Sequence, residues 1–305
     1  MKYDVAVVAD LCLDILMTGK VKPVYGQAEQ IVDDYAVELG GSAAIFASQF
    51  RKLGGKVGFI AAVGDDAFGS ILLEKLSSLD ISTENVIVKP EVKTSVGLGL
   101  SYFEDRAMLT YPGSMASLSA ADILDSEVLK STSHLHIAGY FLLEQLLDFW
   151  PEVLKDLQSK GITTSLDTNW SPDNDWDKVK ELLPYINVFL PNEEEAKNIS
   201  GKTDVVEAGK WLSEFSEIVV IKRGGEGASV FTGENIFHLE IPSELSENLK
   251  IADTTGAGDN FDAGFIREWL QGKSLRECGE TAIKCGTLSL SDMGGIKGQL
   301  QEKGI

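Results

Sequence analysis

The sequence is poor in cysteine and in positive charge, and it has no long apolar run. Its 305 residues include three cysteines, Cys12, Cys278 and Cys285, with no close pair spacing. With 27 basic against 47 acidic residues, the formal net charge is -20. That charge argues against nucleic acid or an anionic membrane as a partner, because both need basic surfaces. No apolar run reaches the length of a transmembrane helix.

A targeting pattern is also missing. The first residues run directly into an apolar strand pattern, without a basic segment, an apolar stretch and a small-residue cleavage site. Together with the scarce cysteines, this predicts a reducing, cytoplasmic location. The histidines form no ligand set either, because His134 and His136 alternate on one predicted strand and His238 is isolated. We expect structural roles for all of them.

Two well-known phosphate-binding fingerprints are absent. The sequence has no Gly-x-x-x-x-Gly-Lys-Ser/Thr, and the Gly256-Ala257-Gly258 run continues to Phe261 instead of a third glycine. These absences lower the expectation of a P-loop enzyme or a nicotinamide-linked dehydrogenase.

What the sequence does contain is an alternation of strand and helix patterns in a chain that is 44% apolar and 24% charged. Residues 3–9 predict a buried strand, 43–53 a helix, 57–63 a strand and 68–79 a helix. Such alternation is typical of an α/β fold whose mostly parallel sheet is flanked by helices. Further along the chain, the patterns predict helices over 120–129, 144–159 and 176–183 and from 193 on, and strands over 134–138, 163–167, 188–190, 218–221, 228–232 and 236–239.

The alternation breaks at residues 95–111, where two strand-like runs flank the polar turn Glu104-Asp105-Arg106. With the extended region 13–37, this hairpin predicts a small accessory β-sheet, of a kind that often closes over a site as a lid. We find no repeat and no linker, so we expect one domain over 1–305, with the lid formed by excursions near 13–37 and 95–111. An apolar face on that sheet would suit a homodimer.

The most informative stretch is Asp253-Thr254-Thr255-Gly256-Ala257-Gly258-Asp259. Its glycine turn leads into helical apolar spacing, so the turn is expected at a helix N-terminus, where free N–H groups and the helix dipole attract an anion such as phosphate. Asp259 in the first turn has two explanations. It is either a general base for an attacking hydroxyl or an acid that the dipole favours there.

Three further groups of residues are ambiguous on their own. Asn192 and Glu195 follow a strand and suit either Mg²⁺ held through water or a helix capping box. The run Lys222-Arg223-Gly224-Gly225-Glu226-Gly227 fits a nucleotide contact or a simple hairpin turn. Asp10 and Asp14, with Gly40-Gly41, suit sugar hydroxyls lying against backbone, or surface acids and a turn.

Taken in order, these motifs resemble those of the ribokinase-like (PfkB) carbohydrate kinases over nearly the whole chain, from about Val5 to Gly295. The resemblance implies a ribokinase-like fold and ATP-dependent phosphorylation of a sugar with Mg²⁺. Its carriers are Asp14, Gly40-Gly41, Val63-Gly64-Asp65-Asp66 with Phe68-Gly69, Tyr111-Pro112-Gly113, Asp167-Thr168-Asn169-Trp170, Asn192 with Glu195, Lys222 to Gly227, and Asp253 to Asp259.

The resemblance also implies roles for individual residues. Asp259 would be the catalytic base, and the N–H groups of Gly256, Ala257 and Gly258 would form the anion hole. The other implied roles are Mg²⁺ and phosphate for Asn192 and Glu195, nucleotide binding for Lys222, Gly224 and Gly227, K⁺ binding for Asp253 and Thr255, and sugar binding for Asp14, Gly40, Gly41 and Asn169.

One departure from the family pattern bears on the substrate. Many members carry a sugar-binding Asn at the place of Ile45, so a hydroxyl contact must be lost here or supplied elsewhere. The first-strand glycine of the family is also replaced, by Ala9. Two alternatives stay open: a nucleoside kinase of the same fold, and a non-catalytic sugar-binding regulatory homologue.

Overall fold

The fold is described here from a computed structural model of the chain. It covers residues 2–26, 28–102, 105–233, 235–247 and 249–301. In the predicted polar turn, Glu104 therefore lies outside the described residues.

The described strands form two separate sheets. In chain order they are β1 (Val5–Val8), β2 (Cys12–Thr18), β3 (Asp34–Gly40), β4 (Val57–Gly64), β5 (Val86–Lys89), β6 (Val96–Tyr102), β7 (Asp105–Tyr111), β8 (His134–Ile137), β9 (Thr163–Leu166), β10 (Val188–Phe189), β11 (Ile218–Lys222), β12 (Ala228–Thr232) and β13 (Asn235–Leu239).

The large sheet is mostly parallel, as predicted. Nine of the described strands form it, in the order β13-β12-β11-β10-β9-β8-β1-β4-β5. Every neighbouring pair from β11 to β5 is parallel. At the other edge, β12 pairs antiparallel with both β11 and β13. The carboxyl ends of the parallel strands therefore meet along one edge of the sheet, where α/β proteins bind their ligands.

Helices cover both faces of this sheet. The described α-helices are α1 (Ser42–Lys52), α2 (Ala67–Ser78), α3 (Ala120–Leu124), α4 (Glu127–Lys130), α5 (Trp150–Ser159), α6 (Asp177–Leu182), α7 (Glu193–Ser200), α8 (Val205–Leu212), α9 (Ser243–Ser246), α10 (Ala257–Leu270) and α11 (Leu275–Ser289). No described helix combines the length and the apolar character that crossing a lipid bilayer would require.

The core consists of two apolar layers, because the side chains of a strand alternate between the faces of its sheet. Val5 and Val7 of β1 pack in one layer with α1, α2, α10 and α11. Ala6 and Val8 pack in the other layer with α5 to α8. Since both faces are covered, β1 and β4 are apolar on both faces, whereas β8 and β9 carry buried polar side chains such as His134 and His136, which both hydrogen-bond to Ser165.

The small sheet contains four of the described strands, in the order β3-β2-β6-β7. It is mixed, because β2 pairs in parallel with β6 while β3 and β7 pair antiparallel with their neighbours. These strands arise from the two predicted excursions. Asp66 joins the two sheets, since its carboxylate accepts hydrogen bonds from the N–H and hydroxyl of Thr94 at 2.9 and 2.7 Å, just before β6.

Several elements differ from the prediction. The helix expected over 120–129 is two short helices, each starting at a serine cap, Ser119 or Ser126. The helix expected over 144–159 begins only at Trp150, with Pro151 in its first turn. Proline is favoured in that turn, because it lacks an N–H that would otherwise be left unpaired.

Candidate active site

The predicted anion site lies at the start of α10. Gly256 precedes this helix with φ 73°, a left-handed conformation that favours glycine. A Cβ on Gly256 would also lie 2.8 Å from Ile45 Cδ1 and 2.9 Å from Gly295 Cα. The turn therefore requires glycine for its conformation and for space. It precedes the first N–H groups of α10, which have no partner within the helix, although the N–H of Ala257 makes one long contact, of 3.4 Å, with the carbonyl oxygen of Thr254.

A buried amide pair holds this turn in place. Asn260 Nδ2 donates to the carbonyl oxygens of Gly256 and Gly295, both at 2.8 Å. Gln299 Nε2 donates to Asn260 Oδ1 at 2.8 Å and to the carbonyl oxygen of Ile45 at 3.0 Å. The segment near the C-terminus thus ties α1 to the start of α10. We did not expect either amide at the site from the sequence.

Asp259 lies in the first turn of α10 and is 9% exposed. The pKa of its carboxyl is raised to about 7, chiefly by burial and also by the charges of Asp167 and Asp10, while Lys222 and the Ser42 hydroxyl act in the opposite direction. A carboxyl with such a pKa is suited to accept a proton near neutral pH.

The start of α1 lies beside Asp259. Asp10, which follows β1, accepts hydrogen bonds from the N–H groups of Ser42 and Ala43, both at 3.0 Å. Asn169 Nδ2 donates to Ser42 Oγ at 2.6 Å, and its Oδ1 accepts from the N–H of Gly139 at 3.0 Å. These contacts bring the ends of β1, β8 and β9 together around the Ser42 hydroxyl. A hydrogen bond from that hydroxyl lowers the pKa of Asp259.

Asp14, Gly40 and Gly41 lie on the small-sheet side of the same region. A Cβ on Gly40 or Gly97 would approach the Asp14 carboxyl group to 2.3 Å, so backbone packs directly against it. A Cβ on Gly41 would lie 2.3 Å from the carbonyl oxygen of Asp10. The two acids thus flank the Gly40-Gly41 pair, where the sequence predicts the sugar.

Lys222 ends β11 in the interior of the site. Its Nζ donates to Asp167 Oδ2 at 2.8 Å and to Asp262 Oδ2 at 3.0 Å. Burial lowers the pKa of Lys222, but the charges of Asp167, Asp262 and Glu195 outweigh that effect and raise it. The ammonium therefore stays charged, and in turn it lowers the pKa of Asp167 against the raising effect of burial.

A cavity with a volume of about 530 Å³ lies next to the α10 terminus. Lys222, Gly224, Gly225 and Gly227 line one side of it. The rest of the wall is mostly apolar and comprises Ile241, Ser246, Leu249, Ile251, Thr254, Ala257, Gly258, Phe261, Ile283, Gly286, Thr287 and Leu290. An apolar slot that ends at a helix N-terminus suits a flat base at one end and phosphates at the other. The structure contains the predicted hairpin turn, which joins β11 to β12, and the nucleotide contact of the same segment stays a prediction.

A second cavity, of about 400 Å³, shares Lys222 and Gly224 and adds Asn192 and Trp170. Here the capping box is present: the N–H of Asn192 donates to Glu195 Oε2, and the N–H of Glu195 donates to Asn192 Oδ1, both at 2.9 Å. The pKa of Glu195 is raised to about 7, chiefly by burial and also by the charge of Asp167. Lys222 and the cap hydrogen bonds oppose this rise.

Among the described residues, no three acidic, histidine or cysteine side chains are grouped as a metal site. Mg²⁺ usually binds proteins through one or two side chains and shares its other positions with water and substrate phosphates. Asn192, which lines the second cavity, and its cap partner Glu195 would be the side chains that hold it.

The thiols of Cys12, Cys278 and Cys285 are buried and form no disulfide, and burial raises the pKa of each.

The proposed K⁺ residues form a loop before α10. Asp253 Oδ1 accepts hydrogen bonds from the N–H and hydroxyl of Thr255 at 3.0 and 2.8 Å, and its Oδ2 accepts from the N–H of Gly294 at 2.9 Å. The loop thus brings a carboxylate and a hydroxyl together before α10, and K⁺ binding by these oxygens stays a prediction.

Ile45 contacts the anion-site turn at Gly256 and Gly295, and it is buried. Asn169, with its amide on Ser42, provides an alternative amide near the predicted sugar position. Among the residues around Asp259, we assigned no role to Ser42 and Asp262 from the sequence. Asp10 was a candidate sugar contact beside Asp14, and Asp167 was named only as part of its motif, although its place directly after a parallel strand would have pointed to the site.

Comparison with known proteins agrees with this geometry. The model of the pfkB family of carbohydrate kinases matches residues 4–302. The 2-dehydro-3-deoxygluconokinase of Bacillus subtilis is 27% identical over 279 residues, which cover 88% of this chain and 85% of that protein. The cytidine kinase of Thermococcus kodakarensis is 29% identical over 243 residues, covering 78% and 83% of the two chains.

A solved structure of a putative ribokinase II from E. coli, in complex with ATP and Mg²⁺, has a TM-score of 0.86 at 24% identity. The match covers 99% of this chain and 97% of that one. This likeness confirms the predicted fold class, a large mostly parallel sheet with helices on its faces and a small separate sheet.

Proposed function

Because the chain belongs to the pfkB family of carbohydrate kinases, we propose that it transfers the γ-phosphoryl group of ATP to a primary hydroxyl of a sugar or sugar derivative. It is a phosphotransferase that uses an alcohol group as acceptor. The observation that carries the finer proposal is Asp259, a buried carboxyl in the first turn of α10 between the nucleotide-sized cavity and the Asp10–Asn169 cluster.

The acceptor would lie against the Gly40-Gly41 pair. Asp14 and Asn169 offer a carboxylate and an amide, which together accept and donate hydrogen bonds to sugar hydroxyls. Ser42, between Asn169 and Asp259, then lies near the hydroxyl that reacts. Ile45 is not counted among the sugar contacts, because it packs on the Gly256 turn.

ATP would occupy the larger cavity, with its base in the apolar part and its phosphates toward Lys222, Gly224 and Gly227. Mg²⁺, bound near Asn192 and Glu195, would supply positive charge to the phosphate oxygens. The N–H groups of Gly256, Ala257 and Gly258 would stabilise the negative charge on the transferring group as it leaves ADP.

In the reaction, the acceptor oxygen forms a bond to the γ-phosphorus while the bond from that phosphorus to the ADP oxygen breaks. The proton of the acceptor hydroxyl passes to Asp259. Its raised pKa supports this role, because a base of about 7 is ionised in part at neutral pH and still binds a proton well.

The small sheet would act as a lid and as a dimer surface. Its register places Asp14 on one face, and places Ile15, Val37, Leu98 and Leu109 in one apolar row on the opposite face. Leu109 is 60% exposed at the end of that row. The Asp14 face would close over the sugar and exclude water, while the apolar row would pack against a second copy of the chain. Light scattering tests the dimer, and a monomer at all concentrations refutes it.

Two alternatives remain distinct. A nucleoside kinase is favoured by one observation, the similarity to a cytidine kinase. A non-catalytic sugar-binding homologue would keep the cavities without needing Asp259.

A substrate screen separates these functions. The protein with ATP, Mg²⁺ and K⁺ is offered neutral sugars, sugar acids, sugar phosphates and nucleosides, and ADP release is followed, with Asp259→Asn as the control. We expect ADP release with a sugar that the variant abolishes. A response to nucleosides alone selects the nucleoside kinase, and nucleotide binding without turnover on any acceptor contradicts the proposal.

A further inference from the structure

Lys222 is held by two buried Asp side chains that come from different elements, and burial raises the pKa of one of them, Asp262, well above its usual range. Asp167 lies in the loop after β9, and Asp262 lies on α10. Lys222 Nζ is 2.8 Å from Asp167 Oδ2, and it lies 3.3 and 3.0 Å from the two oxygens of Asp262. The Asp262 side chain is 0% exposed and that of Lys222 is 13% exposed. The two side chains therefore form an enclosed, charge-assisted contact.

The ammonium lies directly against the predicted anion hole. A Cβ on Gly258 would be 3.3 Å from Lys222 Nζ and 3.8 Å from its Cε. Lys222 also lines both cavities, the one suited to the nucleotide and the one with Asn192 and Trp170. The positive charge is thus placed where the cavities meet at the first turn of α10.

Asp262 differs from Asp167 in its connections. Asp167 also accepts a hydrogen bond from the N–H of Asn169 at 3.1 Å, on the acceptor side of the site. Asp262 belongs to the same helix as the anion-hole N–H groups, one turn beyond Asp259. A lysine side chain is long and flexible, and ordering it costs side-chain entropy. An acceptor on α10 fixes the ammonium relative to those N–H groups.

Resting on the function proposed above, we infer that Asp262 is a positioning residue, which holds the Lys222 ammonium against the γ-phosphoryl group of bound ATP. Without Asp262, Asp167 is the remaining one of the two Asp partners of the ammonium. The ammonium is then drawn toward Asp167, on the side of the site where the acceptor would bind. The γ-phosphate would then lose a preorganised charge, while the α- and β-phosphates would keep their contacts.

The test compares binding of adenylyl imidodiphosphate, a non-hydrolysable ATP analogue, with binding of ADP, both with Mg²⁺, by calorimetry. We expect Lys222→Met and Asp262→Ala each to weaken the analogue about 10- to 100-fold, the range for a charge-assisted hydrogen bond. ADP affinity should change by less than about 3-fold. Asp262→Asn, which keeps an oxygen acceptor for Lys222, should recover most of the loss.

The double variant Lys222→Met with Asp262→Ala should bind the analogue no more weakly than Lys222→Met alone, because Asp262 acts through the lysine. It also removes both members of the pair, so it provides a folded protein if Asp262→Ala alone does not fold. Glu268→Ala is the matched control, a buried carboxylate near the other end of α10, and it should leave both affinities unchanged.

Losses that add in the double variant, or an Asp262→Ala protein that still prefers the analogue over ADP as wild type does, would overturn the inference while leaving the kinase proposal intact. A wild-type protein that binds neither nucleotide would contradict the kinase proposal itself, and the inference with it.

Discussion

Replacing Asp259 by Asn should abolish turnover and at the same time stabilise the fold. The Asp259 carboxyl is buried, and its pKa is raised from 3.8 to about 7, chiefly by burial. Asn has nearly the same shape and carries no charge to bury. Residues that serve chemistry at the expense of stability are common in active sites, and here the structure sets the size of the effect.

The magnitude follows from the pKa difference between the folded and unfolded states. A rise of about 3 units, at about 1.4 kcal/mol per unit, corresponds to about 4 kcal/mol at a pH above 7. The folded protein binds this proton more tightly than the unfolded chain, so wild-type stability falls as the pH rises from 3.8 to about 7. The advantage of Asp259→Asn should therefore grow by about 2 to 3 kcal/mol between pH 5 and pH 8.

Urea unfolding of both proteins at pH 5 and pH 8, without ligands, measures this growth. Asp66→Asn is the control of opposite sign. The pKa of Asp66 is lowered by hydrogen bonds from Thr94 and Gly69 that outweigh the effect of burial. Its loss should destabilise the fold equally at both pH values, because Asp66 is ionised in both states throughout that window. An Asp259→Asn advantage that is absent or does not change with pH would refute the reasoning.

Three other predictions concern the working enzyme. Its kcat should fall as the pH drops through about 7, because Asp259 must be ionised to accept the proton; a flat profile from pH 6 to pH 8 would contradict this. Asn260→Ala should lower kcat and cost about 1 to 3 kcal/mol in urea unfolding, since it leaves the Gly256 carbonyl without its amide partner, and Gln299→Ala should do so more weakly. Activity should be higher in K⁺ than in a large organic cation, and Asp253→Ala should remove that difference while wild type keeps it.

The arrangement of the fold was accessible from the sequence because local patterns repeat along it. Many of the buried parallel strands are visible in the sequence as short apolar runs. The two excursions are visible as breaks in the alternation of strand and helix patterns. The strand Val86–Lys89 and the helix Val205–Leu212 escaped prediction. Val86–Lys89 is an edge strand of only four residues, and its short Val-Ile-Val run was overlooked between the helix before it and the hairpin after it.

The site was predictable where a residue has a local signature. Gly256 and Asp259 belong to a continuous motif at a helix start, and the structure indeed begins α10 at that point. Asn192 with Glu195 showed both of its possible explanations in the sequence, and the capping box is one that the structure contains. Whether the same residues serve Mg²⁺ stays a prediction.

The remaining site residues are brought together only by the fold. Asp262 and Lys222 are 40 positions apart, and Gln299 reaches Asn260 across 39. No local spacing in the sequence predicts such pairs. They depend on how α10 packs on the sheet and on the path of the segment near the C-terminus. Ile45 shows the same limit: the sequence marks it as a missing sugar contact, whereas the fold uses it to support the Gly256 turn.

The most direct test of the central claim is the identity of the product. Wild-type protein and Asp259→Asn are incubated with ATP, Mg²⁺ and the sugars that stimulate ADP release, and ³¹P NMR with proton correlation locates the transferred phosphate. We expect a phosphate ester on a primary sugar hydroxyl in the wild-type reaction and no such ester in the reaction with Asp259→Asn. Inorganic phosphate as the only product, or the same ester from Asp259→Asn at a comparable rate, would contradict it.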